Sequence, residues 1–450
     1  MAHHPPMPGR RRFLAAAGGA VLATGPAAAC TGPGSGDGRT ARGGVPDPVA
    51  FLRTSWSTDP FALCSYSYLA PGPLGTSVRS GLAAPVGERL HFAGEATSGG
   101  APATTAGALE SGRRAAREIL RSARRGRDTV VIGAGFAGLG CARALADAGV
   151  RVTVLEGRDR VGGRVWTERI AGAPAEMGAS WIHGAEGNPV TDLLRRSGGR
   201  AHPFDYDRVV GGDEEAQAEL ARRSEKLAAV TEPDTTSVGD VVLPGRPSPG
   251  LRWAADVEFT QEYAAEPGRL AVSALDEGVG GSGGDVLLPG GYDRLVAELR
   301  GGLRVRTGTT VTAVRYGADG TRVDLDGGGS VRAGHCVVTV PIGVLKARRI
   351  AFDPPLPREK QAAVDALGAG LLDKLWLAFP RVFWDRDADA LQWFDRANPG
   401  LWSWWLNGHK AFGKPVLLGF NSGRHARDLA ERGDREVVAG AMAALRGLHA

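Results

Sequence analysis

The chain has 450 residues, a length that accommodates two or three domains with buried cores. Its composition, 43% hydrophobic and 23% charged, is typical of a globular protein, and its glycines follow no collagen-like period. The formal net charge of +5 is small for this length, and the densest basic run, residues 121–127, contains no aromatic side chain. We therefore interpret that run as a solvated linker and expect no nucleic-acid partner.

The first residues have the layout of an export signal. Arg10 and Arg11 are adjacent, an Ala/Gly-rich stretch follows, and "AAAC" ends at Cys30. The stretch over residues 13–29 is only 17 residues long and contains glycine and proline, which disfavours a membrane-spanning helix. We predict a twin-arginine signal and tether over residues 1–44, export to the periplasm or the extracellular face of the membrane, and a candidate lipid anchor at Cys30. The alternative is a disordered arginine-rich leader.

The pattern over residues 129–156 predicts a nucleotide-binding βαβ unit. The apolar run at its start is typical of a parallel strand covered on both faces. Gly133 makes the tight turn, Gly135 lets the backbone approach a pyrophosphate, and Gly138 lets the helix pack close to the strand. Glu156 follows 18 residues after Gly138, where a carboxylate can accept the ribose hydroxyls.

The other cysteines predict no metal site and no disulfide framework. Cys64, Cys141 and Cys336 show no CxxC spacing. Cys141 falls in the helix of the βαβ unit and Cys336 in an apolar run, so we expect both to be small buried hydrophobic residues.

The residues after the βαβ unit select the nucleotide. Gly162 and Gly163 stand between Arg160 and Arg164, so the backbone can make a second close approach and an arginine can neutralise a diphosphate. This extension resembles the signature of FAD-binding proteins of the glutathione-reductase type. The segment "AEMGASWIHG", residues 175–184, narrows the resemblance to the flavin-containing amine oxidase family, which includes polyamine oxidases, monoamine oxidases and flavin-dependent lysine demethylases.

Two later segments carry the same resemblance. Residues 283–314 are similar to the segment in which the backbone of Val311 meets the adenine, and residues 339–384 match the family closely. The resemblance implies an α/β fold with an FAD-binding Rossmann-like domain of the glutathione-reductase type and an α+β substrate domain with a mixed sheet. The FAD-binding domain would comprise residues 84–190 and 285–347, and the substrate domain residues 45–83, 191–284 and 348–450.

Residues 45–120, the leading segment, resemble the family's C-terminal end although they precede the βαβ unit. Within it, residues 55–72 are similar to the loop that lies over the flavin ring, and residues 90–120 to the closing flavin segment and final helix. Joining the end of the chain to Val45 would restore the family's order, and the seven residues 122–128 can span at most about 25 Å. We interpret the chain as a circular permutant; a mis-assembled gene model is the alternative.

The resemblance implies two roles near the start of one helix. Glu95, in "FAGEATS", corresponds to a family residue that contacts the diphosphate–ribitol region of FAD. Thr104 and the first N–H groups of the following helix would face the flavin. The alternative is an ordinary helix cap formed by Thr104 or Thr105.

Lys374 lies in an alternating pattern that predicts a strand with Leu372, Lys374, Trp376 and Ala378 on one face. Because burial of an unpaired ammonium is costly, this lysine must reach solvent or a polar partner. The family's lysine at this place holds a water beside flavin N5, which implies a role in reoxidation by dioxygen. The alternative is a lysine on a solvent-facing strand.

Aromatic side chains supply candidate walls for a substrate site. The candidates are Tyr66, Tyr68, Trp402, Trp404 and Trp405. The resemblance implies aromatic walls that admit a neutral amine, with Tyr66 as the best candidate for one wall. The tryptophans are equally candidates for the core of the substrate sheet.

Two positions depart from the family pattern. Cys64 stands where most relatives have glycine, near the cysteine that bonds to FAD in monoamine oxidases, with Ser65 as the alternative match. A covalent flavin and a plain buried thiol are therefore both open. His183 falls where some polyamine oxidases have a carboxylate that attracts the cationic substrate, so polyamine selectivity is in doubt.

These features predict an exported FAD-dependent amine oxidase with Lys374 and Tyr66 as catalytic residues. It would convert a primary or secondary amine, polyamine or monoamine, to an imine and then an aldehyde, while dioxygen is reduced to hydrogen peroxide. An L-amino-acid oxidase is the alternative among enzymes, although no arginine stands out as a carboxylate clamp. A non-catalytic exported binding protein without flavin is the alternative outside enzymes.

Overall fold

The computed structural model of the chain describes residues 44–122, 128–278 and 281–449. The predicted export signal, with Arg10, Arg11 and Cys30, lies outside the described residues.

The strands are β1 (Ala50–Arg53), β2 (Tyr66–Leu69), β3 (Leu90–Phe92), β4 (Thr129–Ile132), β5 (Val152–Leu155), β6 (Thr167–Ile170), β7 (Ala173–Glu176), β8 (Trp181–Ile182), β9 (His202–Phe204), β10 (Val209–Gly211), β11 (Asp285–Leu287), β12 (Val305–Arg306), β13 (Val311–Gly317), β14 (Gly320–Leu325), β15 (Ser330–Ala333), β16 (His335–Val338), β17 (Ala351–Asp353), β18 (Leu367–Gly370), β19 (Leu372–Ala378), β20 (Ala390–Gln392), β21 (Trp404–Asn407) and β22 (Val416–Ser422). The α-helices are α1 (Ser77–Ala83), α2 (Thr105–Arg121), α3 (Phe136–Asp147), α4 (Pro189–Arg196), α5 (Glu214–Ser224), α6 (Val238–Val242), α7 (Pro249–Ala255), α8 (Gln261–Tyr263), α9 (Asp293–Arg300), α10 (Ile342–Lys346), α11 (Arg358–Ala366), α12 (Gly408–Phe412), α13 (Gly423–Ala430) and α14 (Asp434–Leu448).

A five-stranded parallel sheet contains the predicted βαβ unit. Its order is β12–β5–β4–β16–β3, and every neighbouring pair is parallel. The predicted first strand is the central strand β4, whose four residues are all buried, and the predicted helix is α3, which begins after Gly135. A parallel sheet is covered on both faces, which explains the unbroken apolar run of this strand.

The leading segment supplies the edge strand of this sheet. Strand β3 pairs in parallel with β16 and places Phe92 opposite Val338. Helix α2 then packs against α3 so closely that a Cβ atom on Gly112 would overlap the carbonyl oxygen of Ala137. The end of the leading segment is therefore an integral part of the parallel-sheet layer.

A six-stranded mixed sheet forms the second layer. Its order is β1–β19–β22–β21–β20–β10, with β10 and β20 parallel and the other pairs antiparallel. Strand β19 has the predicted alternation: Leu372, Trp376 and Ala378 pack into one hydrophobic cluster, and Leu375 and Leu377 pack into another. The strand is buried on both faces because each face belongs to a separate core.

The first and last described residues meet at the edge of the mixed sheet. Strand β1 pairs antiparallel with β19. Arg446 on α14 donates to Asp47 at 3.0 Å, and Val45 and Leu448 pack against the same hydrophobic cluster. The start of the leading segment thus lies beside α14.

A smaller four-stranded sheet has the order β15–β14–β13–β17. Val311, the residue predicted to meet the adenine, is the first residue of its strand β13.

Within the three described ranges, no helix combines the length and apolar character needed to cross a membrane.

Candidate active site

A cavity of about 980 Å³ lies between the parallel sheet and the mixed sheet. The carboxyl ends of β4 and β5 border it at Ile132 and Leu155, and the mixed sheet borders it at Trp404 and Phe420. The predicted site residues on its wall are Tyr66, Glu95, Thr104, Gly133, Gly135, Glu156, Gly163, Arg164, Val311 and Lys374. Gly138 does not border the cavity. The tertiary structure therefore brings together residues that are widely separated in the sequence.

The three glycines of the first turn serve different purposes. Gly133 has φ +104°, a conformation that favours glycine. A Cβ atom on Gly138 would overlap the carbonyl oxygen of Gly133, so this glycine permits close helix packing, as predicted. A Cβ atom on Gly135 would have its nearest protein atoms 3.8 Å away, on Gly162. The protein itself therefore leaves room for a methyl group at Gly135, on the cavity wall.

Glu156 lies one residue beyond β5 and is held by backbone groups. Its Oε2 accepts from the N–H of Ala134 at 2.7 Å and its Oε1 from the N–H of Arg158 at 2.9 Å. An ionised carboxylate oxygen has further acceptor capacity, so Glu156 retains sites for ribose hydroxyls. Arg158 is held in turn by Asp59 of the leading segment, with Nη2 and Oδ2 2.7 Å apart.

A second glycine turn touches the first. Gly162 and Gly163 have φ +102° and +62°, and the N–H of Gly162 donates to the carbonyl oxygen of Ala134 at 2.8 Å. The next residue, Arg164, donates through Nη1 to Glu95 Oε1 at 3.0 Å and to the carbonyl oxygen of Ser65 at 3.0 Å. The predicted phosphate-side arginine is thus anchored by the leading segment.

Glu95 is a buried carboxylate with several donors. Besides Arg164, the N–H and hydroxyl of Ser67 and the N–H of Ala103 donate to it. Burial favours a raised pKa for Glu95, but the charge of Arg164 and the hydrogen bond from Ser67 outweigh it, so the pKa lies below its ordinary value. The carboxylate is therefore ionised at neutral pH. The sequence motifs indicated Glu95 and Arg164 separately and did not predict their ion pair.

Thr104 is the N-cap residue of α2. Its hydroxyl accepts from the N–H of Gly107 at 3.0 Å and donates to the carbonyl oxygen of Ala101 at 2.7 Å. The capping alternative is therefore correct for Thr104. The same residue also borders the cavity together with the first turn of α2, so the capped helix presents its positive end to the cavity.

Lys374 is buried, so the alternative of a solvent-facing lysine is wrong. Its Nζ donates to the carbonyl oxygens of Glu176, at 3.1 Å, and Gly178, and to Ser180 Oγ at 2.6 Å. The ring centroid of Phe420 lies 5.5 Å from Nζ. Burial lowers the pKa of Lys374 to about 7, and the charge of the nearby Glu176 carboxyl opposes this shift without cancelling it.

Tyr66 has a fixed ring on the cavity wall. Its hydroxyl donates to the carbonyl oxygens of Gln261 and Glu262, at 3.2 and 3.1 Å. Tyr68, two residues along β2, is instead buried in the hydrophobic core.

The predicted tryptophan group divides between site and core. Trp404 borders the cavity, whereas Trp402 and Trp405 stack on one another in the core, with ring centroids 5.6 Å apart. Two aromatic partners of Trp404 were not predicted from the sequence. Phe420 lies 5.3 Å and Trp181 6.1 Å from it, centroid to centroid. Trp181 lies in the "AEMGASWIHG" segment, and this motif was the sequence signal from which Trp181 could have been predicted as a site residue.

Two departures from the family pattern have distinct surroundings. Cys64 is fully buried and does not border the cavity, and burial raises the pKa of its thiol, which favours the plain buried thiol. Ser65 borders the cavity instead.

His183 also borders the cavity, and its Nδ1 lies 2.8 Å from Oδ2 of Asp285. Asp285 was not predicted from the sequence, and it supplies a carboxylate behind the position where His183 replaces one.

No group of three or more His, Cys, Asp or Glu side chains in the described residues could hold a metal ion.

The site combines two glycine turns of the nucleotide-binding type, the ion pair of Arg164 with Glu95, and an aromatic end. The aromatic end is the part of the cavity wall formed by Trp181, Trp404 and Phe420. This combination defines a flavin-binding oxidoreductase site. A family model for flavin-containing amine oxidoreductases matches residues 37–120, 136–262 and 259–450. The chain belongs to this family, and the prediction of a flavin amine oxidase is confirmed.

The similar proteins are amine oxidases and demethylases. Polyamine oxidase 4 of Oryza sativa subsp. japonica is 32% identical over 345 residues, which cover 69% of this chain and 70% of that protein. Lysine-specific histone demethylase 1 homolog 2 of the same organism is 32% identical over 350 residues, covering 71% of this chain and 46% of that protein. A structure of wild-type putrescine oxidase bound to putrescine is 23% identical, with a TM-score of 0.59, covering 71% and 81% of the two chains. This likeness confirms the α/β fold with parallel and mixed sheets.

The cavity fits FAD, the cofactor that the family implies. Its wall carries the N-terminal turns of α2 and α3, two positive helix ends that suit a diphosphate. Arg164 lies on the same wall, and Glu156 is placed for a ribose. The protein leaves space beside the backbone of Gly135. This space agrees with a close approach of that backbone to a bound ligand.

Substitution of Gly135 and of Gly138 by alanine should have different effects. We expect Gly135→Ala to weaken FAD binding at least about tenfold, with a loss of unfolding free energy of no more than about 1 kcal/mol at this N-cap position. Gly138→Ala should instead lower the free energy of unfolding by about 1–3 kcal/mol, because its methyl overlaps the Gly133 carbonyl. Fluorescence titration of flavin-free protein and urea unfolding measure the two quantities. A Gly135→Ala protein with wild-type FAD affinity would contradict the assignment.

Proposed function

We propose that this protein uses FAD to oxidise a primary or secondary amine, polyamine or monoamine, with dioxygen as electron acceptor. The observation that carries the proposal is a single cavity that joins the two glycine turns to the aromatic end beside Lys374. Further support comes from the similar proteins, which include polyamine oxidases and a putrescine oxidase.

FAD, when bound, supplies the redox chemistry, since it accepts hydride from the amine's α-carbon and returns the electrons to dioxygen to give hydrogen peroxide. The chain orients the amine and excludes water. Tyr66 is held rigidly by two backbone carbonyls, and Trp404 and Phe420 extend the apolar wall. Because an apolar wall disfavours an uncompensated ammonium, this end of the cavity favours the neutral amine at the reacting nitrogen.

Lys374 is proposed to act at the dioxygen step. As an ammonium, its three donors are matched by three protein oxygens. The lowered pKa favours the neutral amine, which keeps two donors and gains a lone pair. The lone pair of a neutral Lys374 can accept the hydrogen of the Ser180 hydroxyl, while its two N–H groups donate to the carbonyl oxygens of Glu176 and Gly178. The water beside this lysine remains what the resemblance implies.

The alternative of L-amino-acid oxidation requires a free arginine for the carboxylate. Among the described residues, three arginines border the cavity: Arg158 is paired with Asp59, Arg164 is paired with Glu95, and Arg349 is exposed. The two ion pairs occupy Arg158 and Arg164, so Arg349 is the wall arginine that an amino-acid carboxylate would have to use. The other alternative, a binding protein without flavin, is addressed by the presence or absence of bound flavin in the purified protein.

We propose that the residue order is circularly permuted relative to the family. Support comes from three contacts of the leading segment: β3 with β16, α2 with α3, and Asp47 with Arg446. Val45 and Leu448, near the end of α14, pack against the same hydrophobic cluster, so a chain that continued from α14 into the leading segment would need only a short connection. A mis-assembled gene model is the alternative.

We also propose export through the twin-arginine signal of residues 1–44, with lipid attachment at Cys30, and the division into FAD-binding and substrate domains at the boundaries given above. The export proposal is supported by the adjacent Arg10 and Arg11 and the "AAAC" box. The domain proposal is supported by the separate parallel and mixed sheets.

The purified protein should be yellow and should bleach when an amine is added without oxygen. We expect hydrogen peroxide with putrescine, spermidine or tyramine and none with L-amino acids, because Arg158 and Arg164 on the cavity wall are already paired with carboxylates. A peroxide-coupled assay over this panel separates the alternatives. A colourless protein would overturn the flavin-dependent function, and turnover of amino acids alone would overturn the amine substrate.

Lys374→Met should slow reoxidation of the reduced enzyme by dioxygen at least about tenfold while FAD remains bound. Methionine fills a similar volume without a nitrogen, so the effect reports the loss of the polar group. Stopped-flow absorbance of the reduced protein mixed with oxygen measures the rate. An unchanged reoxidation rate would contradict the role.

A reordered chain, residues 129–450 followed by residues 45–121, should bind FAD with a dissociation constant within about threefold of the original, because every contact of the leading segment is retained. Tandem mass spectrometry of peptides that span residues 120–130 of the protein from its native source, together with sequencing of its transcript, tests the gene-model alternative. A reordered chain that does not bind FAD would contradict the permutation, as would a native protein whose peptides follow the family's order.

A further inference from the structure

A line of buried polar side chains leads away from the cavity wall. It starts with Arg164 and Glu95 on the wall and continues through Ser67 to Arg79 and Glu277, which do not border the cavity. The side chains of Arg79 and Glu277 are only 2% and 6% exposed. Three of the five residues belong to the leading segment.

The ion pair at the inner end is bidentate. Arg79 Nε lies 2.5 Å from Glu277 Oε1, and Nη2 lies 2.8 Å from Oε2. The desolvation of such a pair offsets most of its attraction, so stability alone does not explain it. The third nitrogen, Nη1, donates to Ser67 Oγ at 2.8 Å and to the carbonyl oxygen of Ala96 at 3.3 Å. The pair therefore presents a fixed donor to Ser67.

The direction of each hydrogen bond follows from donor chemistry. A guanidinium only donates, so the Ser67 hydroxyl accepts from Arg79. Its single hydrogen is then available to Glu95, whose Oε2 lies 2.6 Å from Ser67 Oγ. Glu95, as an ionised carboxylate, accepts this hydrogen and also the Nη1–H of Arg164 at 3.0 Å. Successive bonds of the same polarity strengthen one another.

We propose that Arg79 and Glu277 are positioning residues for the FAD site. They orient the Ser67 hydroxyl toward Glu95, and Glu95 thereby holds Arg164 at the place on the cavity wall where a diphosphate needs a cation. The inference rests on the proposed function only in that FAD must bind. It assigns the two buried residues a role in cofactor affinity rather than in folding.

Three altered proteins test this assignment. Ser67→Ala removes the link and leaves the ion pair intact. The double substitution Arg79→Met with Glu277→Leu removes both charges together, so no buried charge is left unpaired. The third protein combines all three changes. Lys410→Met with Asp389→Leu is the matched control, because this ion pair lies away from the cavity wall.

We expect the FAD dissociation constant of the folded, flavin-free protein to rise about tenfold for Ser67→Ala and about tenfold for the double substitution. The combined protein should also show about a tenfold rise rather than a hundredfold one, because both changes interrupt the same line. The control should bind FAD like the wild type. Urea unfolding of the same samples reports stability separately.

Dissociation constants within twofold of wild type for Ser67→Ala would overturn the proposal, and this variant decides the question if the double variant does not fold. A hundredfold rise in the combined protein would also overturn it, since independent effects multiply. Failure of the wild-type protein to bind FAD would be a failure of the proposed function and is distinguishable from both outcomes.

Discussion

The parallel pairing of β3 with β16 is the contact on which the site depends. It fixes where the leading segment enters the sheet, with Phe92 opposite Val338. Glu95 follows three residues later at the carboxyl edge, where it meets Arg164, and α2 begins nearby with its positive end on the cavity. Because ligands of parallel sheets bind at the carboxyl ends of the strands, a shift in this one register would displace the whole second half of the cofactor wall.

Charge compensation is the second constraint on this wall. The buried or half-buried charges Glu95, Arg164 and Arg158 each have an opposite partner. Lys374 differs, because the oxygens that accept its hydrogen bonds are uncharged and the nearby Glu176 carboxyl only partly offsets the effect of burial. The consequence is a lowered pKa for this lysine, so the aromatic end can contain a basic nitrogen without a permanent full charge.

The predictions that depended on local chemistry agree with the structure. The strand, turn and helix of the βαβ unit fall where the glycine spacing placed them, because the tight turn and the close helix packing each require a residue without a side chain. The alternation on β19 was equally readable, since a strand exposes alternate residues to two cores. The sequence pattern did not distinguish tryptophans of the site from tryptophans of the core. In the structure, Trp404 borders the cavity, whereas Trp402 and Trp405 lie in the core.

The sequence by itself determined the class of cofactor, the family and the two glycine turns with Glu156 and Arg164 beside them, because a dinucleotide site imposes its requirements on neighbouring positions of the chain. Only the tertiary structure decided which charges meet. The pairs of Glu95 with Arg164 and of Arg79 with Glu277 join positions far apart in the chain, and so does the contact of His183 with Asp285. Such contacts depend on strand register and helix packing, which no short stretch of sequence specifies.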